Sequence, residues 1–197
     1  MEITLSSPIR DRKIASDGVI GMIFLLATEA MFFAGLISAY IVNRSGSVVW
    51  PPYEQPRLPV EITALNSAIL IISAIVFFVF SKKIRSGVNT TGQSLQLLAV
   101  SILLGSVFVT VQGTEWVKLI SYGLTTTSSL YGAFFYLIIG THALHAVAGL
   151  VILLYLYAGL KRSGSAEFSN NKVMVCGMYW YFVVGIWPLL YTLVYLV

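Results

Sequence analysis

Five apolar runs, at residues 18–42, 60–80, 95–116, 129–160 and 173–197, occupy most of the chain. Each reaches or exceeds the roughly 20 residues that a helix needs to cross about 30 Å of hydrocarbon. Inside lipid every backbone N–H and C=O must find its partner within the protein, which selects helices for segments of this length. The composition agrees, with 57% hydrophobic and 10% charged residues, where soluble domains carry roughly 45–50% and about 25%. At a mean hydropathy of +0.86, five such helices in water would expose apolar faces that a soluble fold avoids. The expected architecture is all-α: a tail over residues 1–17 and one five-span integral membrane domain over residues 18–197.

The basic residues give the orientation. Arg10, Arg12, Lys13, Lys82, Lys83, Arg85, Lys161, Arg162 and Lys172 fall on one side of the bundle, and only Arg44, Arg57 and Lys118 on the other, together all 12 Lys and Arg. Positive residues collect on the cytoplasmic side, so the N-terminal tail is expected in the cytoplasm and the C-terminus outside. The net charge of +4 is thereby topological, and no basic run interleaved with aromatics points to nucleic acid. The first 17 residues are polar and the first run is too long for a signal-peptide core, so span 1 is expected to be an uncleaved anchor. Pro51, Pro52, Pro56 and Pro59 crowd the outer loop 43–59 and favour extended backbone there. No internal repeat is visible, and an odd number of spans disfavours a duplicated transporter.

Only Glu29, His142 and His145 titrate deep within the runs. An ionisable group in hydrocarbon costs about 2.5–3.5 kcal/mol on insertion scales, which makes these three the functional candidates. His142 and His145 are the only histidines, and at i and i+3 they share one helix face. They cannot approach one haem from both sides of its plane, and a copper or zinc site would need further ligands of suitable type. Cys176 is the only cysteine and has no partner for a disulfide or a CxxC pair. Neither a metal nor a redox cofactor is therefore expected in this chain, and no glycine-rich phosphate loop is present. The structural alternative for both histidines is a ring bonded to a neighbouring carbonyl or hydroxyl, locking helices together.

Small residues set the expected packing. Gly140, Ala143, Ala146, Ala148 and Gly149 surround the histidines, and Ala30, Ala34 and Ser38 form a second stripe beside Glu29. Such residues let helices approach closely, so span 4 is expected to be a central, packed helix and span 1 to pack tightly too. Trp50 and Trp116 fall near the outer boundary, where aromatic rings anchor to headgroups. Trp180 and Trp187 share a face of span 5, for packing or lipid contact. Glu61 and Glu115 stand at outer span ends, and Pro188 is expected to bend span 5.

Taken together, GMIFLLATEAMFFAGLISAY around Glu29, WPP at 50–52, VEITALNSAIL with Asn66, QGTEW from Gln112 to Trp116 and YGAFFYLIIGTHALHAVAG in span 4 resemble subunit III of the haem-copper oxygen reductases. This is the cytochrome c oxidase and quinol oxidase family, and the five-span length is similar to its shorter bacterial form. The resemblance implies a non-redox accessory subunit of a proton-pumping terminal oxidase in a bacterial plasma membrane. Haem and copper would then reside in partner subunits, above all the catalytic subunit I. It also implies bound phospholipid, with Trp50, Glu61, Asn66, Gln112, Glu115, Trp116, Trp180 and Trp187 as lipid or interface candidates. Span 5 departs from the family pattern, because YWYFVV places Tyr181 and Val184 where His and Asp are common. Two alternatives stay open: an accessory subunit of a nitric oxide reductase, and a small transporter or proton channel built on Glu29 and the histidines.

Depth in the membrane pairs two of the three titratable residues. Span 1 runs outward and puts Glu29 roughly 17 Å above Gly18, while span 4 runs inward and puts His145 roughly 22 Å above Leu160. Glu29 is expected to meet His145, with His142 one turn too far out. In low dielectric an imidazole can share the carboxyl proton or pair with the carboxylate as an ion. A neutral Glu29 bonded to a backbone carbonyl is the alternative.

Overall fold

The protein, as a computed structural model, is described over residues 17–53, 55–87, 91–164 and 168–196. Five long helices follow one another: α1 (Asp17–Ser45), α2 (Val60–Ser86), α3 (Thr91–Ser121), α4 (Leu130–Ser163) and α5 (Asn170–Tyr191). All five are long and apolar enough to cross a membrane, so the chain is a multi-pass membrane protein. The tail ahead of Asp17 lies outside the described residues. The helices overrun their apolar runs with polar turns: α2 continues through Lys83 and Arg85 to Ser86, and α4 through Lys161 and Arg162 to Ser163. Beyond the hydrocarbon an intrahelical hydrogen bond still costs nothing, and basic stems can reach back along the apolar surface.

Local chemistry sets several of the ends. Gly87 closes α2 in the left-handed conformation at φ 66°, its N–H donating to Ile84 O, a conformation that costs glycine little. Ser129 caps α4 by accepting from the N–H of Gly132 at 3.0 Å. The backbone runs helically through Pro188 to Tyr191, and the last described turn, Thr192–Leu196, widens to a π-helix. Thr192 Oγ1 donates to Pro188 O there at 2.8 Å.

Helix α5 is the axis of the bundle and α1 its outlier. In the most apolar window of each helix, 50% of α5 is buried and 39% of α4, against 6% of α1. Helices α2 and α3 pair intimately, α5 packs on α2 and α4, and α1 rests on α5 with a smaller contact to α4. Two expectations change here. Span 4 is packed, yet α5 is more central, and α1 is not tightly packed, since Ala30, Ala34 and Ser38 are exposed. That stripe lines an open groove of about 490 Å³ shared with Ile186 and Leu189 of α5. Small residues permit close approach without creating it, and only Phe33 and Tyr40 of the middle and C-terminal turns of α1 are buried in the core.

The close approaches lie around α5 instead. A Cβ on Gly105 of α3 would come within 2.8 Å of the Trp180 ring, and one on Gly149 of α4 likewise. The indole is clamped between two glycine notches. A Cβ on Gly177 would meet Phe77 at 2.9 Å, which brings α5 against α2.

Candidate functional site

Polar side chains inside the bundle form two separate groups. The first joins α1 to α4. Glu29 Oε2 and His145 Nε2 lie 2.9 Å apart, the pairing that depth alone selected. His145 Nδ1 lies 2.8 Å from Thr141 O one turn earlier on α4. A carbonyl only accepts, so Nδ1 carries a hydrogen and donates to it, which fixes the tautomer. Nε2 then either accepts a proton held by Glu29 or, as part of an imidazolium, donates to the carboxylate. Both forms share one proton across one hydrogen bond, and both leave the pair neutral overall.

The surroundings hold this pair at the edge of the bundle. The His145 and Glu29 side chains keep 13% and 25% of their surface exposed. Phe33 meets the His145 ring edge-on at 5.2 Å, and Tyr179 OH approaches His145 O at 3.4 Å. The arrangement holds one proton between the two side chains on the α1 side without creating an isolated charge in lipid.

The second group runs through the interior between α2, α3 and α5. Ser73 and Ser101 exchange hydrogen bonds across α2 and α3, each hydroxyl donating to the other's carbonyl at 2.8 and 3.0 Å. Asn66 Nδ2 donates to Phe108 O at 3.0 Å. Trp187 Nε1 donates to Ser67 Oγ at 2.7 Å, and that hydroxyl donates on to Thr63 O at 2.6 Å. Gln112 Nε2 donates to Tyr195 OH at 2.8 Å. These bonds pin the register of α2, α3 and α5 where apolar contact alone would let them slide.

His142 belongs to neither group in the expected way. Its ring is buried and stacks on Trp187 with centroids 4.9 Å apart, and neither ring nitrogen has a protein hydrogen-bond partner. The structural alternative of a ring bonded to a neighbouring carbonyl or hydroxyl is therefore not realised at His142.

The residues expected at lipid or interface positions divide. Asn66, Gln112, Glu115, Trp180 and Trp187 lie in the bundle interior, which for Trp180 and Trp187 is the packing alternative of their sequence reading. Glu115 forms an ion pair at 2.8 Å with Lys118. Trp116 and Trp50 are half-buried and Glu61 is exposed. Trp50 Nε1 donates to Tyr40 OH at 3.1 Å, and its ring meets Tyr40 and Tyr131 edge-on, where the C-terminal part of α1 meets the start of α4. Tyr181 sits against Phe77 at 5.7 Å, and Val184 is buried. Thr63, Ser67, Ser73 and Ser101 were not singled out from the sequence. Their signal was small hydroxyl residues recurring on one face of spans 2 and 3.

Among the described residues no cluster of three or more His, Cys, Asp or Glu is placed to hold a metal ion. The family model described as cytochrome c oxidase subunit III matches residues 10–197. Cytochrome c oxidase subunit 3 of Synechocystis is 33% identical over 177 residues, covering 89% of this chain and 74% of that protein. A probable cytochrome c oxidase subunit 3 of Nocardia farcinica is 31% identical over 182 residues, 90% of this chain and 87% of that one. Cytochrome bo(3) ubiquinol oxidase subunit 3 of Pseudomonas aeruginosa is 29% identical over 182 residues, 90% and 84% of the two chains. A match that takes in all five helices and both polar groups assigns the fold as a whole, and the chain belongs to the cytochrome c oxidase subunit III family.

Proposed function

We propose that this chain is a non-redox accessory subunit of a proton-pumping terminal respiratory oxidase, bound to the catalytic haem-copper subunit I in a bacterial plasma membrane. The observation that carries the reading is the family match over residues 10–197. The N-terminus faces the cytoplasm in this reading, as the nine basic residues on that side require. Oxygen reduction belongs to the partner subunits. The work of this chain is to brace the catalytic subunit during turnover and to support its proton uptake, with the Glu29–His145 pair as the group able to hold a proton.

Phospholipid is part of the same assignment. A mostly apolar recess of about 540 Å³ lies at the inner ends of α1, α4 and α5, between Gly18, Tyr155, Gly159 and Cys176, with Lys172 at its rim. An acyl chain in the recess and a phosphate on Lys172 suit that geometry.

The test is purification of the tagged chain from its native membrane in mild detergent. It is expected to bring haem-bearing partners and oxygen-reducing activity with it, while the separated chain shows no haem absorbance. Partners that reduce nitric oxide but not oxygen, or solute uptake by the chain reconstituted alone, would overturn the oxidase assignment.

A further inference from the structure

We propose that the recess under the loop between α1 and α2 docks a carboxylate-bearing, extramembrane segment of a partner protein, with Arg57 as its charged contact. The inference rests on the accessory-subunit reading, which supplies partners at this surface. The recess has a volume of about 320 Å³ and lies at one end of the bundle, between the loop and the ends of α1, α2, α4 and the last described turn. Pro51 and Arg57 in its wall are exposed, whereas Tyr40, Tyr131 and Tyr195 are buried. The loop therefore forms the mouth and the tyrosines the deep side.

The charge of the occupant follows from what this end of the bundle leaves over. Lys118 is paired with Glu115 at 2.8 Å. Arg57 makes no hydrogen bond or ion pair with a described residue. Gln55 Oε1 lies 3.5 Å from Ser128 Oγ, and its side-chain N–H groups have no acceptor among the described residues. The polar side chains at the mouth thus offer donors in excess. A guanidinium fork matches a carboxylate in a bidentate pair and repels a cation, so the fitting guest is an acidic side chain or a chain terminus.

The shape favours a protein segment. Trp50 stands edge-on to Tyr40 and Tyr131, with ring centroids 5.6 and 5.4 Å apart. The wall draws on the loop and on helix ends and on no residue from the middle of a span. A short side chain fits such a recess, and a long acyl chain does not. Pro51, Pro52, Pro56 and Pro59 hold the loop in restricted backbone conformations, so little freedom is lost when a guest docks. Val48 and Tyr53 of the same loop are 101% and 91% exposed beyond the end of α1. Lipid tails do not reach apolar surface outside the spans, and an adjoining protein segment covers it.

Arg57→Gln and Arg57→Glu in the intact complex test the contact. Arg57 is exposed, so neither variant disturbs the bundle. The readout is retention of the chain by its partners during purification in mild detergent at rising salt. An exposed ion pair contributes about 0.2–1 kcal/mol, so at low salt the Gln variant should dissociate about 1.4- to 5-fold more than the parent. The Glu variant should dissociate more still, and salt should narrow both differences. A benzophenone amino acid in place of Tyr53 identifies the neighbour by photo-cross-linking. Capture of an extramembrane segment bearing Asp or Glu supports the proposal, and Arg at that acidic position should restore retention of the Arg57→Glu chain. Capture of phospholipid alone, or of a segment without a carboxylate, overturns it, as does equal retention of parent and variants at every salt concentration. A parent chain that purifies without haem-bearing partners fails the accessory-subunit reading and this proposal with it. Retained partners with unaffected variants fail this proposal alone.

Discussion

Helices α1 and α5 are almost equally apolar by sequence and occupy opposite positions in the bundle. Half of the apolar window of α5 is buried, against 6% of that of α1. Lipid tails are as apolar as leucine, so hydrophobicity does not drive one membrane helix against another; shape and hydrogen bonds do. Helix α5 has both. Trp180 fits the Gly105 and Gly149 notches, and Trp187 donates to Ser67. Helix α1 has Phe33, Tyr40 and the Glu29–His145 bond, and it presents Phe24 and Met31 outward. Position in a membrane bundle is thus set by a few shaped contacts and not by the strength of the apolar run.

The contrast breaks most directly at the large side chains. Trp180→Ala removes a fully buried indole from between two glycines, and truncations of this kind cost about 3–5 kcal/mol. Phe24→Ala on α1 removes a ring that is 69% exposed and should change stability by no more than about 0.5 kcal/mol. Unfolding of the purified chain in one detergent, followed by circular dichroism, compares them. Similar losses for the two would mean that α1 is held as firmly as α5.

Glycines sharpen the same contrast from the opposite direction. Gly149→Leu adds a side chain where a Cβ alone would lie 2.8 Å from Trp180, and overpacking of a filled core costs about 1–3 kcal/mol. Gly35→Leu on α1, where a Cβ would meet nothing within 4 Å, should be neutral or should stabilise by up to about 1 kcal/mol through helix propensity. A destabilised Gly35→Leu chain would show that the outer face of α1 has a tight neighbour within this bundle.

The sequence made the number and order of the helices legible because crossing hydrocarbon leaves a long, unbroken apolar signature. The partnership of Glu29 and His145 was legible for a similar reason: depth follows from counting residues along a helix. The inward face of each helix was not. Ala30, Ala34 and Ser38 had the look of a packing stripe and lie open, while Gly149 serves as a slot for Trp180. Hydropathy is satisfied equally by lipid and by protein, so it cannot distinguish the two surroundings. The interior positions of Asn66 and Gln112 escaped for the same reason, since a lone polar residue near a span end fits a hydrated terminus as well as a buried bond. Depth also kept His142 away from Glu29, whereas its stacking on Trp187 left no mark in the sequence beyond two aromatic rings in different spans.

The smallest expected effect on stability is also the one that separates structure from function in the Glu29–His145 pair. A hydrogen bond between membrane helices contributes about 0.6 kcal/mol on average and about 1.7 at most, so Glu29→Ala should loosen α1 only slightly. Glu29→Gln keeps a side chain whose amide N–H can still donate to Nε2 of His145, whose tautomer is held by Thr141 O, and it should preserve most of that stability. Neither variant can hold a carboxyl proton. If the pair serves only as a tie, Ala and Gln should differ in melting temperature and Gln should behave as the parent enzyme in turnover. If it serves proton uptake, both should slow uptake or shorten the working lifetime of the complex with haem content intact, whatever their stabilities. A Gln variant that matches the parent in proton uptake and in lifetime would reduce the pair to a fastening for α1. Complete loss of oxygen reduction in a normally assembled complex would place Glu29 on an essential proton path, a larger role than that of an accessory subunit.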